Sequence, residues 1–232
     1  MEFLPAEPPI AELIRERHER LLEQLRRAAE AGGHDPDRLH IVGVTKTHPA
    51  SVARAALAAG INRLGESRVQ EAERKIDAVP EAEWHFIGRL QSNKARRAVR
   101  RFAVIHSLDS LELLDRVDEL AAEEGLAPRV LIQVNVSGES SKAGLAPDTL
   151  DAVTVTRTVR LAGLMTIAPM GTNDEGARAV FARLRALRDR LEQRIGIELP
   201  ELSMGMSADA EAAAAEGATL VRIGTLLFGP RG

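Results

Sequence analysis

The sequence alternates between short apolar runs, typical of buried strands, and amphipathic stretches, typical of helices. Eight apolar runs occur, over residues 40–45, 63–65, 84–88, 103–106, 129–136, 160–167, 201–204 and 220–224. Helices are predicted over 51–59, 69–79, 92–101, 174–194 and 209–216, and over a segment that is N-capped by Asp109 and ends at Glu124. Repeating strand–helix units of roughly 25 residues predict an α/β fold, a single (β/α)8 barrel of the TIM type. A doubly wound open sheet is the alternative that the pattern leaves open.

The segment before the first strand divides into two parts. Residues 1–9 contain three prolines, which predicts a loose N-terminal arm. Apolar residues at helical spacing then predict a helix over 10–31, which ends at Gly32 and Gly33. Since the apolar runs are nearly continuous, they fit a parallel sheet that helices cover on its outer face. We therefore expect one barrel domain over residues 10–232.

The composition excludes several classes of function. Of the 232 residues 44% are hydrophobic, so the chain can bury a sizeable core. The net charge is −3, so we expect no nucleic-acid or membrane partner. The lack of cysteine excludes a disulfide framework and a Cys-ligated metal, and the histidines show no paired-ligand spacing, so we expect no metal site. No apolar run reaches the roughly 18 residues of a membrane span. The N-terminal residues also lack the pattern of a signal peptide, which predicts a cytoplasmic protein.

Some charged and titratable residues leave alternatives open. His85 and His106 are expected in or beside the barrel wall. Glu66 and Glu71 fit either acid–base chemistry or helix capping. A basic group on the fourth predicted helix fits either a contact surface for a partner or nucleic acid, or a solvated helix face. This group comprises Lys94, Arg96, Arg97, Arg100 and Arg101.

The segments after the seventh and eighth strands have the composition of a phosphate site. Barrels of this kind bind ligands at the C-terminal ends of their strands, and phosphates often bind after strands seven and eight. Glycines there let backbone N–H groups approach an anion, while hydroxyls and a guanidinium add further donors. These residues fit ordinary turns and caps equally well. They are Ser203, Gly205, Ser207, Arg222, Gly224 and Thr225.

Lys46 follows the first strand and would point into the barrel mouth. Burial and a neighbouring positive charge would lower the pKa of its amine and free it to form a Schiff base. A solvated lysine at a strand end is the alternative. A lysine opposite a phosphate site is the combination that a pyridoxal 5′-phosphate (PLP) protein needs.

Six segments carry a resemblance to a known family, and the match runs from about residue 10 to the C-terminus. The sequence resembles the pyridoxal phosphate homeostasis proteins, which are similar to a free-standing barrel domain of bacterial alanine racemase. The segments are VGVTKTHP (42–49), WHFIGRLQSNK (84–94), QVNV (133–136), GLMTI (163–167), LSMGMS (202–207) and VRIGT (221–225).

The resemblance implies PLP as the cofactor and Lys46 as the Schiff-base lysine. It also implies that Arg222 lies near the phosphate or the pyridine edge. The residues expected to hold the phosphate are Ser203, Ser207, Gly224 and Thr225. Further cofactor contacts are expected from Ser67, Asn135, Met165, Met204 and Gly205.

Four positions depart from the family pattern. Ser67 and Arg68 stand where the family has Asn-Tyr, which puts one polar cofactor contact in doubt, although a serine can still form a hydrogen bond. Arg89 replaces a proline, and Ala208 replaces an acidic residue. None of these changes touches the lysine or the Gly-Thr phosphate motif.

The expected function is PLP binding in cofactor homeostasis, by buffering PLP and delivering it to apo PLP-dependent enzymes, as a monomer and without efficient catalysis. A racemase-like enzyme is the second possibility. The resemblance to alanine racemase implies that racemisation needs two bases, a lysine on one face of the substrate and a tyrosine from a second domain on the other. This chain has no tyrosine. Loss of a general base commonly costs about 10²- to 10⁴-fold in rate. A barrel that binds another phosphorylated metabolite is the third possibility.

Overall fold

A computed structural model describes residues 9–139 and 143–229. Within these residues eight parallel strands form a closed barrel in sequence order. Strand β8 pairs with β1, with Gly43 opposite Ile223, so the predicted (β/α)8 barrel is confirmed and an open sheet is excluded. The strands are β1 (His40–Val44), β2 (Arg63–Glu66), β3 (Glu83–Phe86), β4 (Val104–Leu108), β5 (Arg129–Gln133), β6 (Arg160–Met165), β7 (Glu201–Met206) and β8 (Leu220–Ile223).

Eight α-helices lie in the described part of the chain. They are α1 (Ile10–Ala31), α2 (Ala50–Ala58), α3 (Val69–Ala78), α4 (Ala95–Arg101), α5 (Leu111–Glu124), α6 (Asp174–Ile195), α7 (Ala210–Ala215) and α8 (Thr225–Phe228). Helix α1 precedes the barrel and packs against α2 and α7. Short 3-10 segments lie at Pro36–Arg38, Ser92–Lys94 and Pro147–Ala152.

Three features differ from the sequence prediction or go beyond it. The N-cap of α5 is Ser110, whose Oγ accepts the N–H of Leu113 at 3.1 Å, so the prediction of Asp109 was wrong by one residue. Between β5 and β6, the described residues form a 3-10 segment in place of an α-helix. Helix α8 was not predicted at all. Of the predicted arm over residues 1–9, residues 1–8 lie outside the described residues.

The hydrophobic core has two compartments because successive strand residues point to opposite faces. The larger compartment lies between the barrel and its helices. A smaller cluster fills part of the barrel interior, where Val42, Val104, Leu131, Met165 and Leu220 pack together. The rest of the interior is polar, and it is described with the site below.

The basic helix α4 faces carboxylates. These ion pairs neutralise its charge and favour the interpretation as a solvated helix face over a nucleic-acid surface. Arg96 pairs with Glu123 and Glu124, Arg97 with Glu73, Arg100 with Glu124, and Arg101 with Asp77.

Candidate functional site

A cavity of about 330 Å³ opens at the C-terminal ends of the strands, where barrels of this type bind their ligands. Its volume suits a small organic molecule. Residues from six of the strand ends converge on it, so distant parts of the sequence meet there. The lining residues are Val44, Lys46, Ser67, Ile87, Ile167, Met206, Ser207, Ala208, Arg222, Gly224 and Thr225.

The structure brings together the most specific of the predicted site residues. Lys46 and Ser67 line the cavity, and so do Ser207, Arg222 and Thr225. Gly224 also lines the cavity, immediately before α8. The lysine and the predicted phosphate donors therefore share one cavity.

Five predicted site residues lie elsewhere. Met165 is part of the apolar cluster inside the barrel. Ser203, Met204 and Gly205 are buried in β7, and none of them lines the cavity. Asn135 lines a neighbouring cavity, and its side chain closes its own loop, with Nδ2 donating to the carbonyl of Glu139 at 2.8 Å.

The apolar lining residues were missed from the sequence. Val44 lies two residues before Lys46, so the two-residue period of a strand would have placed both on the same face. Ile87 and Ile167 follow the ends of β3 and β6 and carry no signal beyond that position. Met206 is the last residue of β7, and Ala208 lies in the loop after it, next to Ser207. These side chains give the cavity its apolar walls.

Arg222 is a polar lining group of the cavity that is anchored by two hydrogen bonds. Its side chain is held from two directions, because one NH group donates to Ser203 Oγ at 2.6 Å and the other to the Thr166 carbonyl at 2.9 Å. Burial lowers the pKa of Arg222 to about 10, so the guanidinium remains charged at neutral pH. It therefore places a fixed positive charge beside the cavity.

Arg222 is also one end of a line of hydrogen bonds through the barrel interior, which we name the polar column. From Arg222 the line runs to Ser203 Oγ, and from there to His106 Nδ1 at 2.8 Å. His106 Nε2 contacts His85 Nδ1 at 2.8 Å, and His85 Nε2 contacts Glu83 Oε1 at 3.0 Å. The predicted place of the two histidines, in or beside the barrel wall, is refined to the interior.

The donors and acceptors of the polar column follow from its two ends. The hydrogen bond from His85 lowers the pKa of Glu83 to about 2, so this carboxylate only accepts. Burial lowers the pKa of both histidines, so each is neutral and carries one N–H. His85 must therefore donate from Nε2, and His106 must donate from Nε2 to His85. Ser203 then donates to His106 and accepts from Arg222, so every hydrogen bond of the polar column has one donor and one acceptor.

The described residues contain neither a metal site nor a membrane-spanning helix. In those residues no group of three His, Asp or Glu side chains is arranged to hold a metal ion. None of the described helices has the length and apolar character to cross a bilayer.

Comparison with known proteins places the chain in a family. A family model described as "Alanine racemase, N-terminal domain" matches residues 18–232. The pyridoxal phosphate homeostasis protein of Aquifex aeolicus is 43% identical over 222 residues, which is 93% of this chain and 97% of that protein. Its Pseudomonas aeruginosa counterpart is 44% identical over 225 residues, or 94% and 96% of the two chains.

This chain belongs to the pyridoxal phosphate homeostasis protein family. Among solved structures, this family member is similar to PipY of Synechococcus elongatus with PLP bound, at a TM-score of 0.82 and 40% identity, covering 93% of this chain and all of that one. Alanine racemase of Clostridium difficile is similar at a TM-score of 0.70 and 15% identity, over 89% of this chain and 58% of that one. The second likeness shows the shared barrel fold alone.

Proposed function

We propose that this chain binds PLP in the cavity at the barrel mouth and serves intracellular PLP homeostasis. One observation carries the proposal: the Lys46 amine, the Arg222 guanidinium and the hydroxyls of Ser207 and Thr225 line a single cavity. PLP requires an amine for its aldehyde and several donors for its phosphate. The structure of PipY with PLP bound supports PLP as the ligand of the present chain, which is 40% identical to PipY.

The residues of the cavity fit the parts of PLP. Lys46 would hold the cofactor as a Schiff base, and Ser207, Gly224 and Thr225 would hold the phosphate. Thr225 opens α8, and the first N–H groups of a helix have no partner within it, so they add donors to the hydroxyls. The apolar walls would enclose the ring. When bound, PLP supplies an electrophilic aldehyde and an electron sink.

The other predicted contacts divide into two groups. Ser67 lines the cavity and would donate a hydrogen bond to the cofactor. Arg222 would face the pyridine edge or the phosphate, with Ser203 supporting it from below. Ser203 uses its hydroxyl within the polar column, so it serves the site through Arg222 rather than through the phosphate. Asn135, Met165 and Met204 have no comparable contact with the cavity.

We propose a carrier rather than a racemase. Racemisation by two bases needs a second group that exchanges protons on the opposite face of the substrate. Among the described residues that line the cavity, Lys46 is the one side chain of a type that serves as a general base. The proposed carrier is a cytoplasmic monomer that passes PLP to apo PLP-dependent enzymes.

The test is borohydride reduction of the protein loaded with PLP, followed by mass spectrometry. We expect reduction to fix the mass of PLP on Lys46 in the wild type and nothing on Lys46→Ala. No fixed mass on the wild type would overturn the PLP assignment and favour another phosphorylated metabolite. A racemisation assay with kcat/KM of about 10⁴ M⁻¹s⁻¹ or more would overturn the carrier role.

A further inference from the structure

Three charged residues hold the segment around Lys46 from outside the barrel. Lys46 points into the cavity, so its neighbour Thr45 faces the helices. There Glu66 of β2 meets Glu71 and Lys75, which lie four residues apart on α3. We call Glu66, Glu71 and Lys75 the lysine clamp.

Lys75 is the centre of the lysine clamp. Its ammonium group donates to the backbone carbonyl of Thr45 at 2.7 Å, to Glu66 Oε1 at 2.7 Å and to Glu71 Oε1 at 2.9 Å. An ammonium group has three donors, and these bonds use all of them. The side chain is only 5% exposed, so water does not compete for these bonds.

The two carboxylates complete the hold on the residues before and after Lys46. The hydroxyl of Thr45 donates to Glu66 Oε1 at 2.6 Å. The backbone N–H of Thr47 donates to Glu71 Oε1 at 2.7 Å. The backbone on either side of Lys46 is therefore fixed to α3, and on one side also to β2.

The backbone at Thr47 shows that this hold works against an intrinsic preference. Thr47 has φ of +70°, a left-handed conformation that is unfavourable for a β-branched residue. Such conformations persist where the surroundings enforce them, and they concentrate at functional sites. The bond from Thr47 to Glu71 is the contact that stabilises this conformation.

Stability alone does not account for the lysine clamp. Glu66 is fully buried, and its Oε2 has no hydrogen-bond partner among the residues that the structure describes. Burial also raises the pKa of Glu66, so the environment opposes its charge. Buried ion pairs with incomplete hydrogen bonding contribute little net stability compared with apolar packing. The retained charges therefore point to a local positional role.

We propose that Glu66, Glu71 and Lys75 are positioning residues that aim the Lys46 amine at the aldehyde of PLP. This inference rests on the proposed function. None of the three residues lines the cofactor cavity, so they act through the backbone of residues 45–47. A misplacement of about 1 Å can cost about 10²-fold in rate, so loosening this segment should slow Schiff-base formation.

The experiment compares substitutions at two positions of α3. Glu71→Met removes the acceptor of the Thr47 N–H, whereas Glu71→Gln keeps a carbonyl oxygen there and should rescue the function. Glu73→Met is the matched control, because Glu73 is also on α3, is 26% exposed against 28% for Glu71, and pairs with Arg97 instead. Each protein is mixed with PLP, and the rate of Schiff-base formation is followed by absorbance.

A second measurement separates positioning from general damage. Binding of 4-deoxypyridoxine 5′-phosphate, which lacks the aldehyde, reports on the phosphate and ring contacts alone. For Glu71→Met we expect Schiff-base formation to slow by about 10- to 100-fold, with unchanged affinity for the analogue. Glu71→Gln and Glu73→Met should keep the wild-type rate.

Three results would overturn the inference. If Glu71→Met keeps the wild-type rate, the lysine clamp does not position Lys46. If Glu71→Met loses rate and analogue binding in parallel, the clamp supports the whole barrel rather than the lysine. If the wild type itself forms no Schiff base, the proposed function fails, and the positioning role falls with it.

Discussion

Ser203→Ala tests whether the polar column holds Arg222. The substitution removes an oxygen with two buried partners, the guanidinium of Arg222 and Nδ1 of His106. A buried donor or acceptor left without its bond costs about 1–3 kcal/mol, and more when the group is charged. The two losses together should lower the free energy of unfolding by about 2–5 kcal/mol, a large part of the roughly 5–15 kcal/mol of a typical domain.

The assay is urea denaturation of the protein without PLP, with Ser107→Ala as the matched control. Ser107 is also a buried serine, but among the described contacts its hydroxyl makes a single bond, to the carbonyl of Gly88. One lost bond of this kind costs about 1 kcal/mol. With a slope of about 2–3 kcal/mol per M of urea, Ser203→Ala should lower the midpoint by about 1–2 M. Ser107→Ala should lower it by less than half as much.

A midpoint for Ser203→Ala at or above that of Ser107→Ala would refute the reasoning. It would mean that Arg222 and His106 find other partners, and that Ser203 is not the joint between the charged and the neutral parts of the polar column. PLP affinity of the same variant gives an independent check, since a loosened Arg222 should bind PLP more weakly.

The remaining predictions concern the same interior and its walls. Nitrogen NMR should show both His85 and His106 as Nε2–H tautomers, and an Nδ1–H signal from either would contradict the donor directions. Both histidines stay neutral in the folded state, whereas in the unfolded chain they gain protons below pH 6.5. The free energy of unfolding should therefore fall as pH drops below 6.5, by up to about 1.4 kcal/mol per pH unit for each histidine. Urea midpoints that stay constant from neutral to mildly acidic pH would contradict this prediction. In thermal unfolding, Gly205→Ala should destabilise the protein far more than Gly33→Ala. Both glycines have positive φ, but only the Cβ added at Gly205 would clash, at 2.5 Å from helix α7. Equal losses of thermal stability in the two variants would show that the packing around Gly205 is loose.

The fold could be predicted because every strand of this barrel is buried on both faces. That burial requires the continuous apolar runs that the sequence shows. The helices between the strands are buried on one face, so they require an amphipathic pattern instead. Short elements were missed for a physical reason. Helix α8 has four residues, barely one turn, so no helical period can develop in its sequence. The N-cap of α5 was misplaced by one residue because Asp109 and Ser110 are both good caps.

The site was predicted unevenly because sequence gives the direction of a side chain but not its depth. Lys46, Arg222 and Thr225 lie at strand ends, so position alone brings them to the mouth. Ser203 points inward as expected but lies deeper. The pairing of β7 with β8 shifts there, since Ser203 is opposite Leu220 whereas Met206 is opposite Arg222. No sequence pattern reveals such a shift. Ser203 was therefore expected to hold the phosphate, and its position below Arg222 could not be predicted.

The two groups at the centre of the proposed site are held by separate devices. The lysine clamp reaches Lys46 through the backbone from the outer face of the barrel, and the polar column reaches Arg222 through side chains inside it. The two devices share no residue and no hydrogen bond among the described contacts. Energies of groups without shared partners are additive to a first approximation. The position of the Lys46 amine and the orientation of the Arg222 guanidinium can therefore vary independently in this barrel.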